Sequence, residues 1–106
     1  MTARVQVPGQ IRRGEVIEIR VIIQHPMETG YRHDETGTAI ARNTIRSVVC
    51  RYDGVEIFRA ETSSGIAANP YFLFTTVAES AGTLQFDWVD DAGVEESYRV
   101  PIVLAN

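Results

Sequence analysis

Between Glu15 and Gln24 the branched residues Ile17, Ile19, Val21 and Ile23 fall at every second position, with Glu18, Arg20 and Gln24 on the alternate ones. A period of two puts the first set on one face of a strand and the second on the other, and no helix can reproduce that separation. The rest of the chain is cut short by Pro8-Gly9, Gly14, Pro26, Gly30, Gly37, Asp53-Gly54, Gly65, Pro70, Gly82 and Gly93. No run between these breaks carries a helical stripe. Composition points the same way. Val, Ile and Thr total 31 residues and Leu only 3, and β-branched side chains suit a pleated sheet better than a helix.

Short strands are therefore expected at Arg4–Val7, Glu15–Gln24, Thr44–Tyr52, Val55–Ala60, Tyr71–Ala78, Thr83–Val89 and Val94–Leu104. Asp53-Gly54 tolerates positive φ and suits a two-residue hairpin turn. That turn would set Tyr52 opposite Val55, Arg51 opposite Glu56, Cys50 opposite Ile57 and Val49 opposite Phe58. Aromatics on both faces of Tyr71–Ala78 suggest burial on both sides at its start. Leu84, Phe86 and Trp88 point inward from their strand. Pro101 has no N–H to donate, which puts the last strand at a sheet edge or a bulge. About seven strands without intervening helices describe one all-β domain over residues 1–106, an immunoglobulin-like antiparallel sandwich.

The chain carries 10 Arg and no Lys against 14 acids, a formal charge of −4. That balance argues against a nucleic-acid binder, and no apolar run reaches the roughly 18–20 residues of a membrane span. Residues 1–53 hold 8 Arg and 6 acids and residues 54–106 hold 2 Arg and 8 acids, an asymmetry able to orient a partner. The first residues lack the apolar core of a secretory signal, which alone would keep the chain in the cytoplasm.

Candidate chemistry is sparse. His25, Met27 and His33 lie close together in the long polar stretch His25–Asn43, and imidazole with thioether is a plausible copper set. Their spacing matches no strong template, and His25-Pro26 also reads as the end of a strand with Met27 packed behind it. Cys50 is the lone cysteine. A reactive thiol needs a cation or helix N-terminus beside it, whereas a strand position opposite an Ile reads as a small buried hydrophobe. Asp87, Asp90, Asp91, Glu95 and Glu96 lack the order of a calcium loop and read as a solvated acidic turn. No phosphate loop, Ser/His/Asp series or paired-Cys metal site is present.

Several segments together carry a resemblance. They are Gly14-Glu15-Val16-Ile17-Glu18-Ile19, His25-Pro26-Met27-Glu28-Thr29-Gly30, and Cys50-Arg51-Tyr52-Asp53-Gly54 with Phe58. Ala67-Ala68-Asn69-Pro70-Tyr71 and Gly82-Thr83-Leu84 with Phe86, Trp88, Asp90, Asp91 and Gly93 complete the set. In order and spacing they are similar to the SoxZ family of thiosulfate-oxidation carrier proteins, over nearly the whole chain. The resemblance implies a non-catalytic subunit without cofactor or metal, paired with a SoxY-like subunit whose C-terminal cysteine arm bears the sulfur. It implies transient contacts with the other Sox enzymes. It also implies a periplasmic location reached by co-export on the partner's twin-arginine signal. The chain's own end, Val103-Leu104-Ala105-Asn106, has neither Cys nor Gly and matches the subunit without the arm.

Under this reading His25, Met27, Glu28, Ala68, Asn69, Pro70 and Tyr71 are the expected partner-binding residues. The rival readings are a periplasmic copper protein using His25, Met27 and His33, a stand-alone β-sandwich interaction module, and an enzyme using Cys50. A face normally covered by another subunit would also allow the isolated chain to form a homodimer.

Overall fold

The structure, a computed structural model, describes residues 3–25, 27, 31–41, 43–61 and 69–105. Seven strands form and no helix occurs among these residues: β1 (Ala3–Gln6), β2 (Val16–Ile23), β3 (Ile45–Tyr52), β4 (Val55–Glu61), β5 (Tyr71–Val77), β6 (Gly82–Asp90) and β7 (Glu95–Ile102). They make two antiparallel sheets, one ordered β1-β2-β5 and the other β4-β3-β6-β7, which is the layered arrangement of an immunoglobulin-like sandwich.

Alternation decides which side of each strand is buried. Ile17, Ile19, Val21 and Ile23 of β2 lie at or below 1% exposure and face Val48, Cys50, Leu84, Phe86 and Trp88 of the opposite sheet in one core. Side chains of this size each contribute about 1.5–3 kcal/mol when removed from water. β7 is the outermost strand of its sheet, so Pro101, opposite Thr83, withholds no ladder bond from a further neighbour. Beyond β7, Leu104 continues as a parallel bridge to Ile11, and the Ala105 N–H donates to the Ile11 carbonyl at 2.7 Å.

The β3–β4 hairpin departs from the expected register. Asp53 (φ 49°) and Gly54 (φ 84°) make the turn, with Tyr52 opposite Val55 and Arg51 opposite Glu56 as expected. Beyond that point Cys50 faces Phe58 and Val49 faces Arg59, because Ile57 is an extra residue in β4. The bulge has a packing reason. Opposed residues share a face, so the shift moves Phe58 to the core side, where its ring stacks on Phe74 (4.3 Å, 7°) and meets Phe72 edge-on at 6.0 Å. The opposed pair Arg51 and Glu56 also finds other partners. Arg51 bridges to Asp87 at 3.1 Å, and Glu56 to Arg59 at 2.7 Å.

β5 corrects a second expectation. Phe72 and Phe74 pack on the core, but Tyr71 and Leu73 are half exposed. Among the described residues the strand is an edge, and no second layer covers the outer face of its sheet.

Candidate functional site

The two segments singled out in the sequence meet at one corner of the sandwich, where β2 ends and β5 begins. Asn69 closes the corner with φ 53°, a left-handed conformation that Asn accepts more readily than most residues. Its side-chain Oδ1 accepts the His25 backbone N–H at 3.0 Å, and its own N–H donates to the His25 carbonyl at 2.8 Å. The Ile23 N–H donates to the Pro70 carbonyl at 3.0 Å and extends the pairing into β5.

The His25 imidazole is turned inward and engaged on both nitrogens. Nδ1 accepts the Met27 backbone N–H at 3.0 Å, which assigns the ring proton to Nε2, 3.3 Å from Asp90 Oδ2. Both side chains are only 10% exposed. Asp90 Oδ1 accepts the Val94 N–H at 3.0 Å. Burial by itself would raise the Asp90 carboxyl. The Val94 N–H, the His25 ring and the Asn43 amide outweigh it and hold the group below the ordinary carboxylate value. Met27, at φ 52°, is 4% exposed, and its sulfur accepts the Ile45 N–H at 3.3 Å. Asp91 Oδ2 accepts both the N–H (2.9 Å) and the hydroxyl (2.7 Å) of Thr44.

The Asp90-Asp91 turn is therefore an anchor rather than a solvated acidic loop, since it satisfies backbone donors that burial would otherwise leave unpaired. The sequence signal for it was an Asp three residues before Gly93, whose N–H donates to the Asp90 carbonyl at 3.0 Å.

Of the residues expected to bind a partner, His25, Met27 and Pro70 face inward and hold the corner together. Asn69 and Tyr71 are exposed, and Glu28 and Ala68 lie outside the described residues. The copper set is not assembled as a ready site. His25 and Met27 spend their ligating atoms on Asp90 and backbone N–H groups. His33 sits in a small hairpin opposite Ala39, held by Asp34 Oδ1 accepting the N–H groups of Thr36 (2.9 Å) and Thr38 (3.0 Å). Among the described residues no three His, Cys, Asp or Glu side chains gather where they could hold a metal.

Cys50 is fully buried in β3. Desolvation, reinforced by the Asp87 carboxylate, pushes its thiol up to about 12. A nucleophilic or sulfur-bearing thiol needs access and a thiolate fraction; Cys50 has neither.

Comparison with known families is decisive for this fold and its sealed thiol. The family of the sulphur oxidation protein SoxZ matches residues 5–101. The chain belongs to the SoxZ family. As a SoxZ-family protein it is a component of the Sox sulfur-oxidation system. No curated protein matches it closely.

Solved structures reproduce the SoxZ-family fold at low identity. A variant of superoxide reductase (neelaredoxin) from Ignicoccus hospitalis superposes with TM-score 0.74 at 19% identity, covering 98% of this chain and 80% of that one. A superoxide reductase variant from Archaeoglobus fulgidus gives 0.67 at 18%, covering 98% and 89%. A hypothetical protein from Pyrococcus horikoshii gives 0.69 at 13%, covering 97% and 88%. At such identities the likeness concerns the sandwich and not the chemistry.

Proposed function

We propose that this chain is the non-catalytic scaffold of a two-subunit sulfur carrier. In this reading a SoxY-like subunit brings the cysteine on which sulfur intermediates ride, and separate Sox enzymes load, oxidise and release them during thiosulfate oxidation. The observation that carries the reading is the state of Cys50. The chain belongs to a sulfur-oxidation family, yet its one thiol is buried, protonated and unable to reach a substrate. The cargo thiol must then belong to another molecule.

The scaffold has a physical task. A thiol on a flexible arm reaches each enzyme at high effective concentration only if the base of the arm is held in a fixed geometry. Two sheets packed on one core supply that rigidity, and the corner that His25, Met27 and Pro70 hold together contributes contacts to the partner or the enzymes through its exposed residues Asn69 and Tyr71. The pair works in the periplasm and is exported together on the partner's signal.

Reconstitution tests this. The chain and the SoxY-like subunit encoded in the same genome are combined with thiosulfate and the remaining Sox enzymes, and sulfur adducts are located by mass spectrometry. Adducts are expected on the partner's C-terminal cysteine and none on Cys50. An adduct on Cys50, or conversion of a sulfur compound by this chain alone, would overturn the proposal. Replacing His25 and Asn69 by Ala tests the corner. Unchanged complex formation and turnover would remove it from the interface.

A further inference from the structure

The two outer faces of the sandwich differ. That of the four-stranded sheet is polar and paired within itself. Arg51 bridges Asp87, the Gln85 amide donates to Asp87 at 3.0 Å, and Arg99 donates to Gln85 at 3.1 Å. The outer face of the three-stranded sheet is mixed: Arg20 and Glu18 pair on it at 2.7 Å, and exposed apolar side chains surround that pair. Its register sets Arg4, Ile22 and Tyr71 in one row, Gln6, Arg20 and Leu73 in the next, then Glu18 with Thr75 and Val16 with Val77. Exposure there is 66% for Val16, 37% for Ile22, 52% for Tyr71, 51% for Leu73 and 40% for Val77. Exposed apolar side chains gathered along β2 and β5 on one face mark a contact surface.

Edges sharpen the point. A sandwich of this topology has four edge strands, and proteins guard such edges with charges, Pro, bulges or shortness. β1 has four residues and carries Arg4. β4 carries Glu56, Arg59, Glu61 and the Ile57 bulge. β7 carries Glu95, Glu96, Arg99 and Pro101. β5 alone is unguarded. Its seven residues, Tyr-Phe-Leu-Phe-Thr-Thr-Val, hold no charge, Gly or Pro. Among the described residues the sheet ends at β5, so one row of its N–H and C=O groups faces away from β2. Beside that row lies a cleft of about 450 Å³ whose apolar wall is Tyr52, Val55, Ile57 and Val77 with Thr76, and whose rim carries Asp53, Glu79 and Ser80.

We infer that an extended, apolar segment of the arm-bearing subunit adds to β5 as a fourth strand, with a side chain in the cleft and its flank over Leu73 and Val77. This rests on the proposed function and names the surface that serves it. Strand addition gives affinity through the backbone and specificity through alternate side chains. The face alone is too small. Two strands about 24 Å long and roughly 5 Å apart present far less than the ~800 Å² per partner of a stable interface, so the edge and the cleft must be covered too.

Charge selects the occupant. Arg12 and Arg13 lie in the loop that leads into β2, where the Gly14 N–H donates to the Ala78 carbonyl just past β5; neither has an ion pair among the described residues. They call for acids flanking the added strand. A second copy is a poor fit, because β5 and its immediate flanks offer one acid, Glu79, and each copy carries −4.

The test uses the full chain and the SoxY-like subunit with its cysteine arm intact. Leu73→Glu and Val77→Glu place charges on the exposed face without touching the core, and Thr83→Glu on the other sheet is the control. Each glutamate on β5 is expected to weaken the complex by at least about tenfold, and the control by less than about twofold. The β5 amides are expected to exchange more slowly in the wild-type complex. Unaltered β5 exchange, or wild-type affinity in both β5 variants, overturns the inference while leaving the carrier proposal standing. If the wild-type chain captures no partner at all, the carrier proposal fails and the inference with it. A homodimer of the isolated chain that Leu73→Glu dissolves, with partner affinity unchanged, gives the face to a second copy and overturns the inference as well.

Discussion

His25 and Asn69, separated by 44 residues, hold each other by two hydrogen bonds, the His25 N–H to Asn69 Oδ1 at 3.0 Å and the Asn69 N–H to the His25 carbonyl at 2.8 Å. One residue thus supplies both a side-chain acceptor and a left-handed backbone. Asn69→Gly keeps the backbone and loses the acceptor, at a cost of about 1 kcal/mol. Asn69→Ala loses both, at about 2 kcal/mol. Urea denaturation of the two variants reads the difference, and equal losses would show that the φ of 53° carries no part of it.

Asp90 gives the chain an acid-sensitive anchor. Its folded carboxyl titrates below the ordinary 3.8, so as pH falls the unfolded chain takes up the proton first. The stabilisation is present above about 3.8 and disappears as pH drops through the lower folded value. Asp90→Asn is therefore expected to flatten the fall of unfolding free energy below pH 4. Parallel curves for the variant and the wild type would sink the assignment.

The sealed thiol makes a prediction at the other end of the scale. Labelling of native Cys50 by iodoacetamide is expected to be at least about a hundredfold slower than in denaturant, because it waits for opening of the core. Stability should also decline as pH rises beyond 9.0, where an unfolded thiol ionises, towards the folded value of about 12. Cys50→Ala should lose that component at a cost of about 1–2 kcal/mol of core packing. Fast native labelling would contradict the burial.

Gly82 and Asp53 are a matched pair. The Asp53 carboxylate accepts the Thr83 N–H at 2.9 Å and occupies the space that a Cβ on Gly82 would need. Gly82→Ala is expected to expel the carboxylate and cost about 1–2 kcal/mol, visible as a lower melting temperature. In an Asp53→Ala background the same change should cost much less, and full additivity would show that the two residues do not interact.

Strand positions, the buried face of β2, the Asp53-Gly54 turn and the family were all readable from residue order, because each rests on local periodicity, turn chemistry or short motifs. The Ile57 bulge was not. An extra residue in one strand is recorded only in what it packs against, here Phe74 on another sheet. The packing of Met27 behind the end of β2 was readable, but the partners of His25 and Met27 were hidden. Both are recognisable residues on a loop, and whether they face a partner or the interior depends on Asp90 and Ile45, 65 and 18 residues away.

The β5 face shows the division most clearly. Aromatics on both faces make the start of this strand read as buried on both sides, since a period-2 pattern says which residues share a face and nothing about what covers it. Local sequence determined that this chain is a sandwich of seven strands and which side chains travel together. Only the assembled sheets decided that, among the described residues, β5 ends a layer and its outer row is left uncovered. Those are properties of order between strands, which is set by contacts far apart in the chain.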